Sequence, residues 1–222
     1  MKNYFLILSI LLIYASCQKN KTVIKESKVS TVAEQIANAH GLSHWNKVSQ
    51  IKFTFNVDRD SSHYERSWSW KPKTNDVSLI TNTDTIKYNR TDIDSISINA
   101  DKAFINDKYW LLVPFQLVWD ESTTITEPVQ TEAPISKKLL NKITLTYSNE
   151  GGYTPGDAYD IYYSDDFLIQ EWVFRKANSK DATLTSTFEN YQTFNGLKIA
   201  LTHKKPERNW NLNFTDVIVT QD

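Results

Sequence analysis

From residue 51 to residue 57 the side chains alternate. Ile51, Phe53, Phe55 and Val57 are apolar, and Lys52, Thr54 and Asn56 between them are polar. A period of two predicts a strand with one buried face. Residues 59–62 are polar and predict a turn. Tyr64, Arg66, Trp68 and Trp70 then alternate with His63, Glu65, Ser67 and Ser69, which predicts a second strand with an aromatic face. Residues 72–76 turn the chain again, and 77–81 and 85–89 read as two more strands around Asn82-Thr83-Asp84. Short polar turns between alternating runs predict an antiparallel meander.

The alternation returns at 140–147, where Ile143, Leu145 and Tyr147 share a face, and continues at 158–163, 167–175, 183–191, 197–203 and 210–219. Breaks fall at Ser164-Asp165-Asp166, 177–181, Asn195-Gly196 and 205–209. Asn195-Gly196 favours a tight hairpin because both residues tolerate positive φ. Residues 149–156, rich in Gly, read as a flexible turn. The pattern amounts to about ten strands, with neither βαβ alternation nor a sequence repeat.

Two segments have helical character. Ser30 is placed to cap a short helix whose apolar face is Val32, Ile36 and Ala39, with Glu34 in the first turn and Gly41 as the stop. Residues 101–120, DKAFINDKYWLLVPFQLVWD, form the densest apolar and aromatic run after residue 16. Phe104, Tyr109, Leu112, Phe115 and Leu117 line a helical segment that Pro114 must interrupt, giving two short helices or a helix and a loop. Residues 121–137, with two Pro, four Thr and three Glu, read as a surface loop.

Composition changes the picture at the N-terminus. Lys2, the apolar run 4–14 and the small residues Ala15 and Ser16 describe a signal peptide over residues 1–16, too short to span a bilayer. Cys17, the one cysteine of the chain, follows directly. Tyr14-Ala15-Ser16-Cys17 resembles a relaxed bacterial lipobox, with Tyr where Leu is usual. The resemblance implies cleavage before Cys17 and its lipidation with palmitate-type chains; a secreted protein with an unused thiol is the alternative. Residues 17–28 then form a lipidated tether, and 29–222 a single domain. No acidic cluster follows Cys17, so the expected location is the outer membrane, facing the periplasm. The net charge of −1 argues against nucleic acid as a partner.

Ten strands with one apolar face must curl, close or be covered. The expected fold is mainly β: a curved antiparallel half-barrel with an N-terminal helix and a central helical lid. This layout, carried by residues 45–57, 103–117 and 159–201 with Asn195-Gly196, resembles the LolA/LolB-type lipoprotein carriers and their outer-membrane lipoprotein-sorting relatives. The stretch around Tyr109-Trp110-Leu111-Leu112 is similar to a group of envelope lipoproteins of unassigned function. The resemblance implies a lipid or lipoprotein acyl chain held between sheet and lid. The lining expected is Phe53, Phe55, Tyr64, Trp68, Trp70, Phe104, Tyr109, Trp110, Leu112, Phe115 and Trp172. In the carriers a cavity arginine helps to hold the lid closed, and Arg66 is the candidate here. The alternative is that the aromatics fill the space completely, as side chains do in small barrels, leaving an interaction or structural lipoprotein without a ligand.

Catalytic constellations do not emerge. HExxH, GxSxG, P-loop and GxGxxG patterns are absent. His40 and His44 are separated by Gly41, so a metal site is not expected there. His63 and His203 stand alone on predicted strands. Asp165 and Asp166 belong to a turn rather than an acid/base pair. Gly151-Gly152 with Gly156 reads as a turn rather than an anion nest, and Lys204, Lys205 and Arg208 as a solvated basic patch. The expected protein is non-enzymatic and carries no cofactor.

Overall fold

The computed structural model describes residues 30–150, 153–206 and 209–222. The signal peptide, the tether with Cys17, the Gly151-Gly152 nest and Arg208 lie outside the described residues.

Helix α1 spans Val32–Ala39. Its cap is Thr31, not Ser30. The Glu34 amide donates to Thr31 Oγ1 at 3.2 Å, and the Thr31 amide donates to the Glu34 carboxylate at 2.7 Å. This reciprocal pair needs a hydroxyl three residues before a Glu, a spacing that Thr31 has and Ser30 lacks. Ala33, Ile36 and Ala37 are buried, so the inner face is turned slightly from the expected Val32-Ile36-Ala39 stripe. Gly41, at φ 98°, ends the helix in the left-handed region, and a 3₁₀ turn over Leu42–Lys47 leads into the sheet.

Strands β1 (Val48–Arg59), β2 (Ser62–Lys71), β3 (Asp76–Ile80) and β4 (Thr85–Asn89) form the first meander. Phe53 faces Trp68 and Phe55 faces Arg66 across β1 and β2. Helix α2 follows at Ile98–Trp119. Then come β5 (Thr123–Ile125), β6 (Val129–Glu132), β7 (Leu139–Tyr147), β8 (Ala158–Tyr163), β9 (Ile169–Arg175), β10 (Leu184–Thr187), β11 (Glu189–Phe194), β12 (Leu197–Lys204) and β13 (Trp210–Gln221).

The strands make two sheets, ordered β11-β12-β13-β1-β2-β3-β4 and β10-β9-β8-β7-β5, with β6 also on β7. The pairings are antiparallel throughout, and β13 returns to lie against β1. The fold is therefore mainly antiparallel β, open rather than closed into a barrel.

Among the described residues there are thirteen strands, against about ten expected. The 121–137 segment is not plain loop: it carries β5 and β6, each short and each paired to β7. Strands of three or four residues carry too little alternation to read, and pairing alone defines them. The run 183–191 is not one strand either. It divides at Phe188, whose amide donates to the Gln170 carbonyl at 2.7 Å. Before Phe188 the chain pairs with β9 in the smaller sheet; after it, with β12 in the larger. Phe188 is itself buried. His203 Nδ1 donates to the Thr187 carbonyl at 3.0 Å and joins the two sheets at this corner.

Helix α2 starts earlier than the 101–120 run, at Ile98. It is broken at Leu112 (φ −127°, ψ 22°), two residues before Pro114. Pro114 has no N–H for the carbonyl four residues back, and its ring crowds that turn. Two helical pieces meeting at this kink match the expected break. α1 packs against α2, so α2 is covered on both sides and is buried nearly all round between Leu111 and Leu117. One core joins α1, α2 and both sheets.

Candidate functional site

The alternation of β2 sets Tyr64, Arg66, Trp68 and Trp70 on the face toward α2. Arg66 reaches across to Asp107, which the sequence reading did not single out. Arg66 Nε and Nη2 both donate to the Asp107 carboxylate, the latter at 2.6 Å. Trp68 Nε1 donates to the same carboxylate at 2.8 Å and Asn106 Nδ2 at 3.0 Å. Asp107 is fully buried. Burial pushes its carboxyl above the ordinary range, against the pull of the Arg66 guanidinium and the Asn106 and Trp68 donors. The guanidinium also lies 5.2 Å from the Phe55 ring and donates to the Tyr64 hydroxyl at 3.0 Å. An acidic residue inside an apolar helical run was the available signal for Asp107, since a buried carboxylate requires a partner.

Nearly two helical turns earlier, Asp101 gathers a second knot. Its carboxylate accepts from Arg90 Nε at 2.9 Å, from the Tyr88 hydroxyl at 3.2 Å and from the Tyr153 hydroxyl at 2.9 Å. Together the two knots tie α2 to β2, to the end of β4 and to the β7–β8 connection.

Between these ties the space is filled. Trp68 and Trp70 lie 5.3 and 5.5 Å from Phe104. Phe115 contacts Trp45 and Trp119 at 5.7 and 5.4 Å. Phe53 and Phe55 both meet Phe214 edge-on. Leu112 is wholly buried. Of the expected lining, Phe53, Phe55, Trp68, Trp70, Phe104, Leu112 and Phe115 are thus packed on one another and on α2, while Tyr64 and Arg66 stand at the rim.

Tyr109, Trp110 and Trp172 are placed differently. With Ile105, Tyr159, Phe174 and Leu184 they wall a cleft of about 250 Å³ on the flank of α2 facing the smaller sheet. The rings interlock: Trp110 to Trp172 at 4.4 Å, Tyr109 to Tyr159 at 4.9 Å, Tyr159 to Phe174 at 5.1 Å. Among the described residues Trp172 Nε1 is buried without a hydrogen-bond partner. Tyr159, Phe174 and Leu184 were not singled out from sequence, although Tyr159 with Ile161 and Trp172 with Phe174 each share a face by period two. A second cavity of about 580 Å³ adjoins the cleft. Both are lined by Ile105, Tyr109, Tyr153 and Thr154. A hollow of about 740 Å³ lies apart, between the start of α1 and the β5–β6 connection, and its walls include Ser30, Thr31, Gln35, Glu127 and Asn141. Val32, Leu117, Ile125 and Phe167 also line it, so its walls are mixed where those of the cleft are mainly apolar.

The remaining candidates disperse. His40 is buried, its Nδ1 donating to the Ile36 carbonyl at 2.8 Å, whereas His44 is exposed. His203 is buried among Trp110, Phe188 and Phe214, and His63 sits at the surface beside Asp58. Asp165 accepts from Asn141 and Asp166 from Ser164, so the two carboxylates serve separate partners. Lys204 pairs with Glu189. Among the described residues no three His, Cys, Asp or Glu side chains cluster to hold a metal.

No family model and no curated protein matches this chain. Solved structures do. A LolA superfamily protein from Nitrosomonas europaea superposes with a TM-score of 0.51 at 11% identity, over 87% of this chain and 96% of that one. A DUF1329 family protein from Desulfovibrio piger gives a TM-score of 0.45 at 7% identity, over 85% and 91%. An outer membrane lipoprotein-sorting protein domain from Vibrio parahaemolyticus gives 0.40 at 9% identity, over 85% and 93%. The likeness to the Nitrosomonas protein is one of fold, and the fold is LolA-like.

Proposed function

We propose that this protein is a lipid-anchored envelope protein that binds an apolar ligand, a lipid or acyl chain, in the aromatic cleft beside α2. The observation that carries this reading is the cleft itself: Tyr109, Trp110, Tyr159, Trp172, Phe174 and Leu184 keep an apolar space on the flank of α2. Removing apolar surface from water there contributes about 25 cal/mol per Å². The cleft alone is small beside ligand pockets of roughly 300–1,000 Å³, and the adjoining cavity brings the combined space within that range. The LolA-like fold supports a binding rather than a catalytic role. Residues 1–17 support attachment through Cys17, with the outer membrane facing the periplasm as the proposed site. The proposed mechanism is passive: α2 covers the ligand, and the Arg66–Asp107 pair holds α2 to the larger sheet.

The packed interface between α2 and β2 supports a second reading, an interaction or structural lipoprotein with a filled core. Native mass spectrometry of the chain purified with Cys17→Ser separates the two. Co-purifying lipid and displacement of a fluorescent fatty acid are expected on the first reading. A ligand-free protein that also fails to take up the probe supports the second and sinks the first.

A further inference from the structure

Lys108 lies on α2 and is 7% exposed, yet among the described residues its ammonium has no hydrogen bond or ion pair. Its near neighbours are aromatic faces, with Nζ 5.7 Å from the Trp70 ring and 6.0 Å from the Trp119 ring. Burial pulls its pKa down to about 8 and Arg90 adds to this, against the opposing pull of the Asp120 and Asp101 carboxylates. Two turns on, Gln116 is 4% exposed, and its amide likewise has no partner among the described residues. Both side chains line the 580 Å³ cavity. Buried polar groups are normally hydrogen-bonded, and an unpaired buried cation is the costliest exception. The Lys108 and Gln116 side chains are largely buried, but their polar ends open on the cavity, where they can donate to an acceptor from outside the chain.

The charges of the cavity bear on which acceptor fits. Arg90 is engaged by Asp101. Asp120, half-buried, accepts from the Tyr147 hydroxyl. Glu121 and Glu150 are exposed at the rim, where solvent screens them. Lys108 and Gln116 are therefore the cavity donors without a hydrogen bond among the described residues, although Asp120 and Asp101 act on Lys108 through space. The cavity runs into the aromatic cleft across Ile105 and Tyr109.

We infer that Lys108 and Gln116 seat the anionic head group of the ligand, a carboxylate or a phosphate, while its apolar chain lies in the cleft of Tyr109, Trp110 and Trp172. This rests on the ligand-binding reading above and narrows it to anionic single-chain amphiphiles. A neutral lipid would offer the ammonium a hydrogen-bond acceptor but no counter-charge.

The test uses the full chain purified with Cys17→Ser and three probes of equal length: dodecanoate, dodecyl phosphate and dodecanol, followed by tryptophan fluorescence. One charge-assisted hydrogen bond should make at least one of the two anions bind about ten-fold more tightly than the alcohol. The tighter of the two identifies the head group. Lys108→Gln should abolish that preference, and Lys108→Arg should restore it. Equal binding of alcohol and anions by the unaltered chain overturns the inference while leaving the cleft intact as a site, and this comparison needs no variant to fold. Persistence of the preference in Lys108→Gln also overturns it. Failure of all three probes to bind removes the ligand-binding reading itself.

Discussion

Arg66 of β2 forks onto Asp107 of α2, and this buried pair fastens the larger sheet to the central helix. Removing Arg66 strands the fully buried Asp107 carboxylate, and removing Asp107 strands a guanidinium that is only partly open to water. Arg66→Ala and Asp107→Ala should each destabilise the fold by about 3–5 kcal/mol. The double variant should cost less than the sum, because neither charge is then left alone. Urea denaturation of the four proteins measures the coupling, and strictly additive losses would show that the two residues act independently.

Gly41 is constrained twice. Its φ of 98° lies in the left-handed region, and a Cβ built on it would stand 2.0 Å from the Gly196 carbonyl oxygen. Backbone strain of about 1–3 kcal/mol therefore adds to a clash with main chain that cannot swing aside. Gly41→Ala should lower the thermal midpoint sharply, whereas Ser43→Ala, at an exposed position of the same turn, should leave it near the parent value.

His40 and His203 are both buried, and burial lowers each to about 4 from an ordinary 6.5. Folded, they stay neutral; unfolded, they take up protons below about pH 6.5. Stability is thus complete above that pH and falls as pH drops toward 4, by up to about 3 kcal/mol for each residue. Chemical denaturation at a series of pH values reads this slope. His203→Leu should remove about half of it, and an unchanged slope would place the dependence elsewhere.

Glu171 is buried on β9 and takes the amides of Ile135 and Ser136 at 2.7 and 2.8 Å. It thereby fixes the β6–β7 turn. Glu171→Gln would set an NH₂ group against one of these donors and should cost about 1–3 kcal/mol. Faster limited proteolysis between residues 133 and 138 is the expected local sign.

Cys17→Ala should move the protein from the membrane to the soluble fraction, because acyl chains contribute about 0.8 kcal/mol per buried CH₂. Retention in the membrane fraction would refute lipidation as the anchor.

Much of this molecule follows from local pattern. Ile51, Phe53 and Phe55 define β1 by alternation, Asn195-Gly196 marks the β11–β12 hairpin, and Pro114 announces the break in α2. These are short-range effects of side-chain period and backbone geometry, so they are written in contiguous residues. Other features depend on residues far apart in the chain. β5 and β6 exist because β7 offers them edges. The run 183–191 divides between sheets because Phe188 enters the core and its amide meets Gln170. Asp107 becomes half of a latch only once α2 lies across β2. The sequence by itself determined a mainly antiparallel, helix-covered fold rich in inward aromatics. Only the tertiary structure decided which of those aromatics close on one another and which, around Tyr109 and Trp172, leave a space, because packing density depends on how distant faces meet rather than on any face alone.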